Sequence, residues 1–268
     1  MAHPDNLELF ARAAGIAGPF LPELQTLQLL HRAWPQTIPF ENIDVLLNRP
    51  VSVELAAIAE KLLINRRGGY CFEHNLLFKQ ILEEVGFAVT PHLARVVWGL
   101  AQPEVRPQTH MLLIVTLNGS KYLADVGFGS VSLTAPLRLE EGEQDGLVLE
   151  RINSDQWLLS LGGEAGKKLM YVFEERQCEF PDILVANHFV ATHESSLFCH
   201  NLVMAGLLKG EQYNLFNQHL TIHGCERAKQ QTQTLEEFAR VVSLFFSRPD
   251  VVSDEDMRAI YAKVCLAE

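Results

Sequence analysis

The segment RRGGYCFEHN, residues 66–75, contains a cysteine whose position suits a nucleophile. Cys71 follows two adjacent glycines, and the apolar spacing after it predicts a helix that begins near Cys71 and ends at Gly86. The unpaired N–H groups and the positive dipole at a helix start favour a thiolate. Cys71 is therefore a candidate nucleophile, and a buried structural cysteine is the alternative that the residue alone leaves open.

A predicted β-hairpin brings a histidine and an aspartate to one face. The dipeptide Asn118-Gly119 between two apolar runs predicts a two-residue turn, which pairs position 117 with position 120. In that register Asp125 lies opposite position 112 and His110 lies opposite Gly127, so the two are diagonal neighbours on one face, with Cα atoms about 7–8 Å apart, within reach of an imidazole and a carboxylate. A carboxylate that holds one imidazole nitrogen leaves the other free to activate a thiol. A slip of one residue would place them on opposite faces.

The other cysteines and histidines are weaker candidates. Four cysteines lack the surroundings that activate a thiol, namely Cys178, Cys199, Cys225 and Cys265. The five cysteines are odd in number, widely spaced and without a C-x-x-C pair, which indicates neither a disulfide framework nor a zinc site, so no metal is expected. His74, one turn from Cys71, is an alternative base, but no carboxylate is placed to orient it.

The composition limits the classes of protein to consider. The 268 residues include 22 Lys and Arg against 33 Asp and Glu, a formal net charge of −11, and 48% are apolar. Such a chain folds, and its acidic balance argues against non-specific nucleic-acid binding. No apolar run approaches the roughly 18 residues of a membrane span, and the N-terminal residues lack the features of a signal peptide. Together with the cysteine usage, this favours a cytoplasmic location.

The elements that must position the candidate residues change in type along the chain. Helical patterns come first, over residues 24–34, 52–64 and 71–85. Strand patterns follow, over residues 89–100, 111–117, 121–126, 147–152, 157–161 and 169–173, with the acidic stretch 140–146 predicted as a solvated turn. The last part is mixed, with helices over 181–190, 234–245 and 253–264 and strands over 202–208 and 220–223. This order indicates an α+β fold.

Several motifs give the chain a resemblance to a known family. They are residues 38–42 (IPFEN), the RGGYCFEHN block that ends at Asn75, His110 at the start of its strand, residues 125–129 (DVGFG), and residues 187–198. With them the chain resembles the arylamine N-acetyltransferases over essentially its whole length. The resemblance implies an α+β fold of three parts with a triad arranged as in cysteine proteases. These parts are a helical bundle (1–86) with the nucleophile, a β-barrel (87–195) with the histidine and aspartate, and an α/β lid (196–268).

The resemblance also implies the site and its reaction. It assigns Cys71, His110 and Asp125 as a catalytic triad that transfers acetyl groups from acetyl-coenzyme A to arylamines, arylhydrazines or arylhydroxylamines. The positions it gives to the amine pocket are Phe40, Val97, Phe128 and Phe216. Those it places near coenzyme A are Trp98, Gly127 and Gly129. It further implies a structural pairing of Arg66 and Glu41 near the cysteine. We expect a ping-pong reaction through an acetyl-cysteine.

Other functions remain compatible with the same residues. A thiol hydrolase would release acetate from acetyl-coenzyme A without an amine, and an amide synthase would ignore acetyl-coenzyme A and use a larger acyl donor. A catalytically silent scaffold would be insensitive to loss of Cys71, although the intact triad argues against that reading. The expected partners are a small aromatic amine or hydrazine and coenzyme A, with no nucleic acid or membrane, and both a monomer and a homodimer stay open.

Overall fold

The structure is a computed structural model that describes residues 5–129, 131, 133–163, 166–224, 227–248 and 250–265. The helices are Asn6–Ala14 (α1), Leu24–Thr37 (α2), Ile43–Leu46 (α3), Leu55–Ala59 (α4), Cys71–Val85 (α5), Phe180–Thr192 (α6), Leu197–His200 (α7), Leu235–Ser243 (α8) and Asp254–Cys265 (α9). A π-helical turn, Glu60–Ile64, directly follows α4.

The strands follow mainly in the middle of the chain. They are Phe40–Glu41 (β1), Ala88–Val96 (β2), Gln108–Leu117 (β3), Ser120–Ala124 (β4), Leu137–Arg138 (β5), Gly142–Gln144 (β6), Leu147–Arg151 (β7), Gln156–Leu161 (β8), Lys168–Glu174 (β9), Val203–Leu208 (β10), Glu211–Phe216 (β11), His219–His223 (β12) and Arg227–Gln231 (β13). Within the described residues they form an eight-stranded sheet, β5-β4-β3-β2-β9-β8-β7-β6, and a five-stranded sheet, β1-β10-β11-β12-β13. The predicted α+β class is confirmed.

The eight-stranded sheet is nearly closed into a barrel. Its edge strands β5 and β6 meet through the side chain of Gln144, which accepts a hydrogen bond from the backbone N–H of Arg138 at 2.8 Å and donates one to the Arg138 carbonyl at 2.9 Å. Closure of this kind protects edge strands that would otherwise be free to pair with another chain.

Strand β3 is buried on both faces and joins the helical part to the barrel. Alternate side chains of a strand point to opposite faces. The residues that pack against the helices are Met111, Leu113 and Val115, and those that pack inside the barrel are Leu112 and Ile114. The helical side is built around fully buried aromatic rings, with Trp34 4.8 Å from Phe10 and 5.0 Å from Phe78 between centroids. This double burial holds β3, and with it His110, in a fixed place.

The second sheet links the beginning of the chain to its end. Its edge strand β1 is antiparallel to β10, with Phe40 opposite Ala205 and Glu41 opposite Met204. The C-terminal helices α8 and α9 pack against this sheet through residues such as Phe238. The division at residues 86 and 195 stays a prediction, and β1 pairs across it.

Some predicted elements differ from those in the structure. Helix α2 continues through Pro35 to Thr37, where the N–H of Ile38 still bonds the Trp34 carbonyl at 2.9 Å. Ser52 accepts a hydrogen bond from the N–H of Glu54 before α4 rather than capping a helix over residues 52–64. The acidic stretch 140–146 contributes the exposed strand β6 instead of only a turn.

Candidate active site

The start of helix α5 presents Cys71 as the sequence predicts. The chain before it passes so close to Pro39 that a Cβ on Gly68 would lie 2.2 Å from the Pro39 carbonyl oxygen, which only glycine allows. The Glu73 carboxylate accepts a hydrogen bond from the N–H of Tyr70 at 3.0 Å and so ties the residue before the helix to its first turn. The tight approach and this bond fix the position of Cys71.

His110 and Asp125 form a buried pair. The Nε2 atom of His110 lies 2.7 Å from Oδ2 of Asp125, and neither side chain is more than 3% exposed. Burial alone would lower the histidine pKa, but the Asp125 carboxylate outweighs it, and the Cys71 side chain also favours the imidazolium, so the pKa of His110 is raised to about 10. The pKa of Asp125 is lowered despite its burial, because His110 stabilises the carboxylate.

Two further polar side chains surround Asp125. The backbone N–H of Asp125 donates to Nε2 of His31 at 3.2 Å, and burial lowers the pKa of His31 to about 4, so its imidazole is a neutral acceptor. The ring of Tyr171 lies 5.0 Å from that of His110 between centroids. Burial and the neighbouring Asp125 raise the pKa of Tyr171 well above its usual value, which keeps the phenol protonated. The carboxylate is therefore surrounded by neutral groups and one imidazolium.

Cys71 and His110 line one wall of a cavity of about 580 Å³. Its other walls include five aromatic rings from separate parts of the chain, namely Phe40, Trp98, Phe128, Phe189 and Phe198. Phe128 packs edge-on against the His110 ring, with centroids 5.3 Å apart. The cavity therefore places a thiol and an imidazole beside apolar surfaces that suit a flat ring.

Most of the predicted pocket residues lie at this cavity. Phe40, Phe128, Trp98 and Gly127 line it. Gly129 is not among the lining residues but packs on Phe40, since a Cβ there would lie 2.9–3.1 Å from three carbon atoms of the Phe40 ring.

Two predicted residues are placed differently. Val97 is fully buried and packs with Leu158, Leu169 and Val172, whereas its neighbours at positions 96 and 98 line the cavity. Phe216 is 45% exposed on β11 and lies opposite Val203, which does line the cavity. The structure does not bring Val97 to the cavity, and it places Phe216 on the strand beside it.

The predicted pairing of Arg66 with Glu41 is wrong. Arg67 contacts Glu41 at 2.8 Å and Asp44 at 3.2 Å, while Arg66 adopts a positive φ of 58°. Positive φ is unusual for a residue with a side chain and reverses the local course of the chain. Arg67, and not Arg66, therefore faces the carboxylates of Glu41 and Asp44.

His74 does not serve as an alternative base. Its Nδ1 accepts a hydrogen bond from the indole N–H of Trp34 at 2.7 Å, and its Nε2 lies 3.2 Å from the carbonyl oxygen of Pro39. Burial lowers the pKa of His74 to about 4. Both nitrogens are occupied, so His74 has a structural role, as the absence of an orienting carboxylate predicts.

Two of the remaining cysteines, Cys178 and Cys265, show no activating surroundings. Burial raises the pKa of Cys178 to about 11, and the pKa of Cys265 also rises through burial. Cys225 lies outside the described residues. Within the described ranges, no three His, Cys, Asp or Glu side chains are grouped as a metal site would require, and no helix is long and apolar enough to cross a membrane.

Comparison with known proteins gives a consistent result. The N-acetyltransferase family model matches residues 23–247. The arylamine N-acetyltransferase of Mycobacterium tuberculosis is 39% identical over 227 residues, covering 78% of this chain and 76% of its own. That of Escherichia coli is 39% identical over 203 residues, covering 74% and 72%. The arylamine N-acetyltransferase / N-hydroxyarylamine O-acetyltransferase of Salmonella typhimurium is 38% identical over 207 residues, covering 75% and 73%.

Solved structures agree over almost the whole length. The Salmonella typhimurium arylamine N-acetyltransferase superposes with a TM-score of 0.88 at 31% identity, covering 96% of this chain and 98% of its own. The Mycobacterium marinum arylamine N-acetyltransferase in complex with CoA gives 0.89 at 33% identity, covering 97% and 99%. With a family model, curated relatives and solved structures all matching most of its length, the chain belongs to the arylamine N-acetyltransferase family of enzymes.

Proposed function

We propose that this protein transfers an acetyl group from acetyl-coenzyme A to the nitrogen of an arylamine, arylhydrazine or arylhydroxylamine, with Cys71, His110 and Asp125 as its catalytic triad. The observation that carries the proposal is that Cys71 and His110 line the same aromatic cavity and that His110 is bonded at 2.7 Å to the buried Asp125. This is the order of nucleophile, base and orienting carboxylate that acyl transfer requires.

In the first half-reaction the Cys71 thiolate attacks the thioester carbonyl of acetyl-coenzyme A. The new bond joins Cys71 Sγ to the acetyl carbon, the bond to the coenzyme sulfur breaks, and His110 gives its proton to the departing thiolate. The helix start supplies backbone N–H groups without i−4 carbonyl partners, and we assign to that of Cys71 the stabilisation of the oxyanion.

In the second half-reaction the amine attacks the acetyl-cysteine. The amine nitrogen forms the new bond, His110 takes its proton, and the Cys71 thiolate leaves to restore the pair with the imidazolium. An arylamine is neutral at pH 7, so it needs no prior deprotonation, and rings such as those of Phe40 and Phe128 favour a flat apolar substrate.

The size of the cavity supports two successive steps. About 580 Å³ lies within the range for one drug-sized ligand. The acetyl-bearing arm of acetyl-coenzyme A and the amine would thus occupy the cavity one after the other. Arg106 lines the cavity, and the Lys168 ammonium lies 3.5 Å from the ring centroid of Trp98, so cations are available for the phosphates of coenzyme A. The cytoplasmic location stays a prediction.

The test is the intact mass of the protein after mixing with acetyl-coenzyme A in the absence of amine. We expect one added acetyl group on the wild type and on Cys199→Ala, none on Cys71→Ala, and loss of the group when an aniline is added. Cys199 is a suitable control because it is a partly buried cysteine on α7.

Other outcomes would point to other reactions. Acetate released without an amine would indicate the thiol hydrolase. A protein that takes no acetyl group and leaves acetyl-coenzyme A intact would overturn the proposal and direct the search to longer acyl donors and the amide synthase.

A further inference from the structure

The side chain of Asn75 is fully buried one helical turn after Cys71, and the reaction described above gives it no role. It ends the RGGYCFEHN block that carries Cys71. A buried primary amide is costly unless its polar groups are paired, so its contacts indicate what it is for.

Asn75 binds two other segments of the active site at once. Its Nδ2 donates to the carbonyl oxygen of Met111 at 2.7 Å and to Oδ1 of Asp125 at 3.1 Å. Its Oδ1 accepts from the N–H of Val126 at 3.2 Å. One side chain of α5 thus fixes β3 next to His110 and the segment that carries Asp125.

The contact with Asp125 controls the direction of its carboxylate. Oδ2 faces His110, while Oδ1 accepts from both Asn75 and the N–H of Gly127, the latter at 2.9 Å. Donors on one oxygen oppose rotation of the carboxylate and leave the other directed at the imidazole. Without Asn75, the N–H of Gly127 alone would hold that oxygen.

We propose that Asn75 is a positioning residue of the triad, which orients the Asp125 carboxylate toward His110 and holds the strand of His110 at its distance from Cys71. The inference deepens the proposed function and rests on it for the roles of the three residues. Asn75 acts through Asp125 and Met111, and it contacts no reacting atom.

The test uses two variants that remove the three hydrogen bonds in different ways. Asn75→Ala leaves a small cavity, whereas Asn75→Leu keeps a similar volume, so a defect common to both comes from the lost hydrogen bonds. Gln80→Ala on the same helix is the control, because the Gln80 side chain binds Glu84 at 3.2 Å, away from the triad.

The measurement is the pH profile of Cys71 alkylation by iodoacetamide, taken with the acetylation rate in a single turnover. A misdirected Asp125 supports the imidazolium less well, so the Cys71 thiolate should form only at higher pH. We expect both variants to move the midpoint of the profile upward by about one pH unit and, at pH values below the wild-type midpoint, to lose roughly tenfold in alkylation, since one unit is a tenfold change. Acetylation should fall by at least as much, and Gln80→Ala should match the wild type.

If Asn75 had only a structural role, the expected results would differ. Its replacement would lower the unfolding temperature of both variants but leave the alkylation profile of the folded protein unchanged. That result, with acetylation within about twofold of the wild type, would overturn the proposal. Because alkylation needs no acetyl donor, it tests the positioning role even if the wild type fails to form the acetyl adduct.

Discussion

The backbone of Cys71 packs closely against Gly127. A Cβ atom added at position 127 would lie 2.9 Å from the Cα of Cys71 and 3.1 Å from its carbonyl oxygen. It would also lie 2.8 Å from Nδ2 of Asn75. Contacts below 3 Å to backbone atoms cannot be relieved by rotating a side chain. The segment after Asp125 therefore packs on the start of α5 only because residue 127 has no side chain.

We predict that Gly127→Ala moves the start of α5 away from His110. Activity should fall at least tenfold, since a displacement of about 1 Å at reacting groups can cost two orders of magnitude. Overpacking should also lower the free energy of unfolding by about 1–3 kcal/mol. The measurements are kcat/KM and urea denaturation. Gly163→Ala is the control, because its nearest atom would be 3.8 Å away. Wild-type activity in Gly127→Ala would contradict the backbone contact.

A partly buried lysine supports the nucleophile helix. Lys61 contacts Glu73 at 2.8 Å and Asp44 at 2.7 Å, with 18% of the lysine side chain and 3% of the Glu73 side chain exposed. Burial raises the pKa of Glu73 to about 7, against the opposing effect of Lys61. Glu73 is the residue that binds the N–H of Tyr70 before Cys71. The lysine thus stabilises a carboxylate that helps to place the nucleophile.

We predict that Lys61→Met destabilises the protein by about 3–5 kcal/mol, because it leaves a buried charge without its partner. Without Lys61 the pKa of Glu73 rises further. An acid with a raised pKa in the folded state loses stability as pH increases, so the deficit should be smaller at pH 5 than at pH 8. Urea denaturation at both values tests this. Lys79→Met, which breaks a surface pair with Glu83, should cost only about 0.5 kcal/mol. Equal effects of the two substitutions would refute the argument.

The features that the sequence predicts well are those that local residues determine. The Asn118-Gly119 turn fixes the hairpin register, and the observed pairs run from Leu117 with Ser120 to Leu113 with Ala124 as predicted. The start of α5 follows from its glycines and apolar spacing. Because these two elements carry the three proposed catalytic residues, local patterns suffice to name the candidates, whereas the approach of α5 to the strand of His110 depends on tertiary packing.

The features that the sequence leaves open depend on distant contacts. Strand β13 is exposed throughout and has no apolar alternation, so only its pairing with β12 identifies it. The cavity walls formed by Phe189 and Phe198 come from a helical region that reaches the triad only in the folded chain. The hydrogen bonds of Asn75 likewise join segments about 36 and 50 residues away. No local pattern reports such contacts.

Two buried histidines make the free energy of unfolding depend on pH in the acid range. The pKa values of His31 and His74 are both lowered to about 4, chiefly by burial. A histidine with a depressed pKa binds its proton more readily when unfolded. Its contribution is therefore fully present above pH 6.5 and is lost as the pH falls toward 4. For each histidine, lowering the pKa from 6.5 to about 4 corresponds to about 3 kcal/mol in the free energy of unfolding.

We predict that His74→Gln reduces this acid sensitivity. The variant should be less stable than the wild type at pH 7, because it disturbs the bond from Trp34, but its free energy of unfolding should change less between pH 6.5 and 4. The difference in slope should correspond to about one proton. Urea titrations at four pH values provide the test, with the exposed His188→Gln as control. Parallel curves for His74→Gln and the wild type would exclude a neutral buried His74.

A second cavity adjoins the first. It has a volume of about 500 Å³ and shares two lining residues, Pro107 and Phe189, with the cavity at Cys71. The Phe189 ring stacks on His193, with centroids 4.4 Å apart. Since Pro107 has a small rigid ring, Phe189 is the side chain whose loss would connect the two spaces.

We therefore predict that Phe189→Ala changes which amines the enzyme prefers. Shortening this side chain joins the cavities, so the ratio of kcat/KM for a fused three-ring amine to that for a single-ring amine should rise by about tenfold, as expected for added pocket space. The single-ring amine loses an aromatic contact, which contributes to the same change. Phe180→Ala, at a 42% exposed position of the same helix, should leave the ratio unchanged. An unchanged ratio in Phe189→Ala would show that some other part of the cavity limits substrate size.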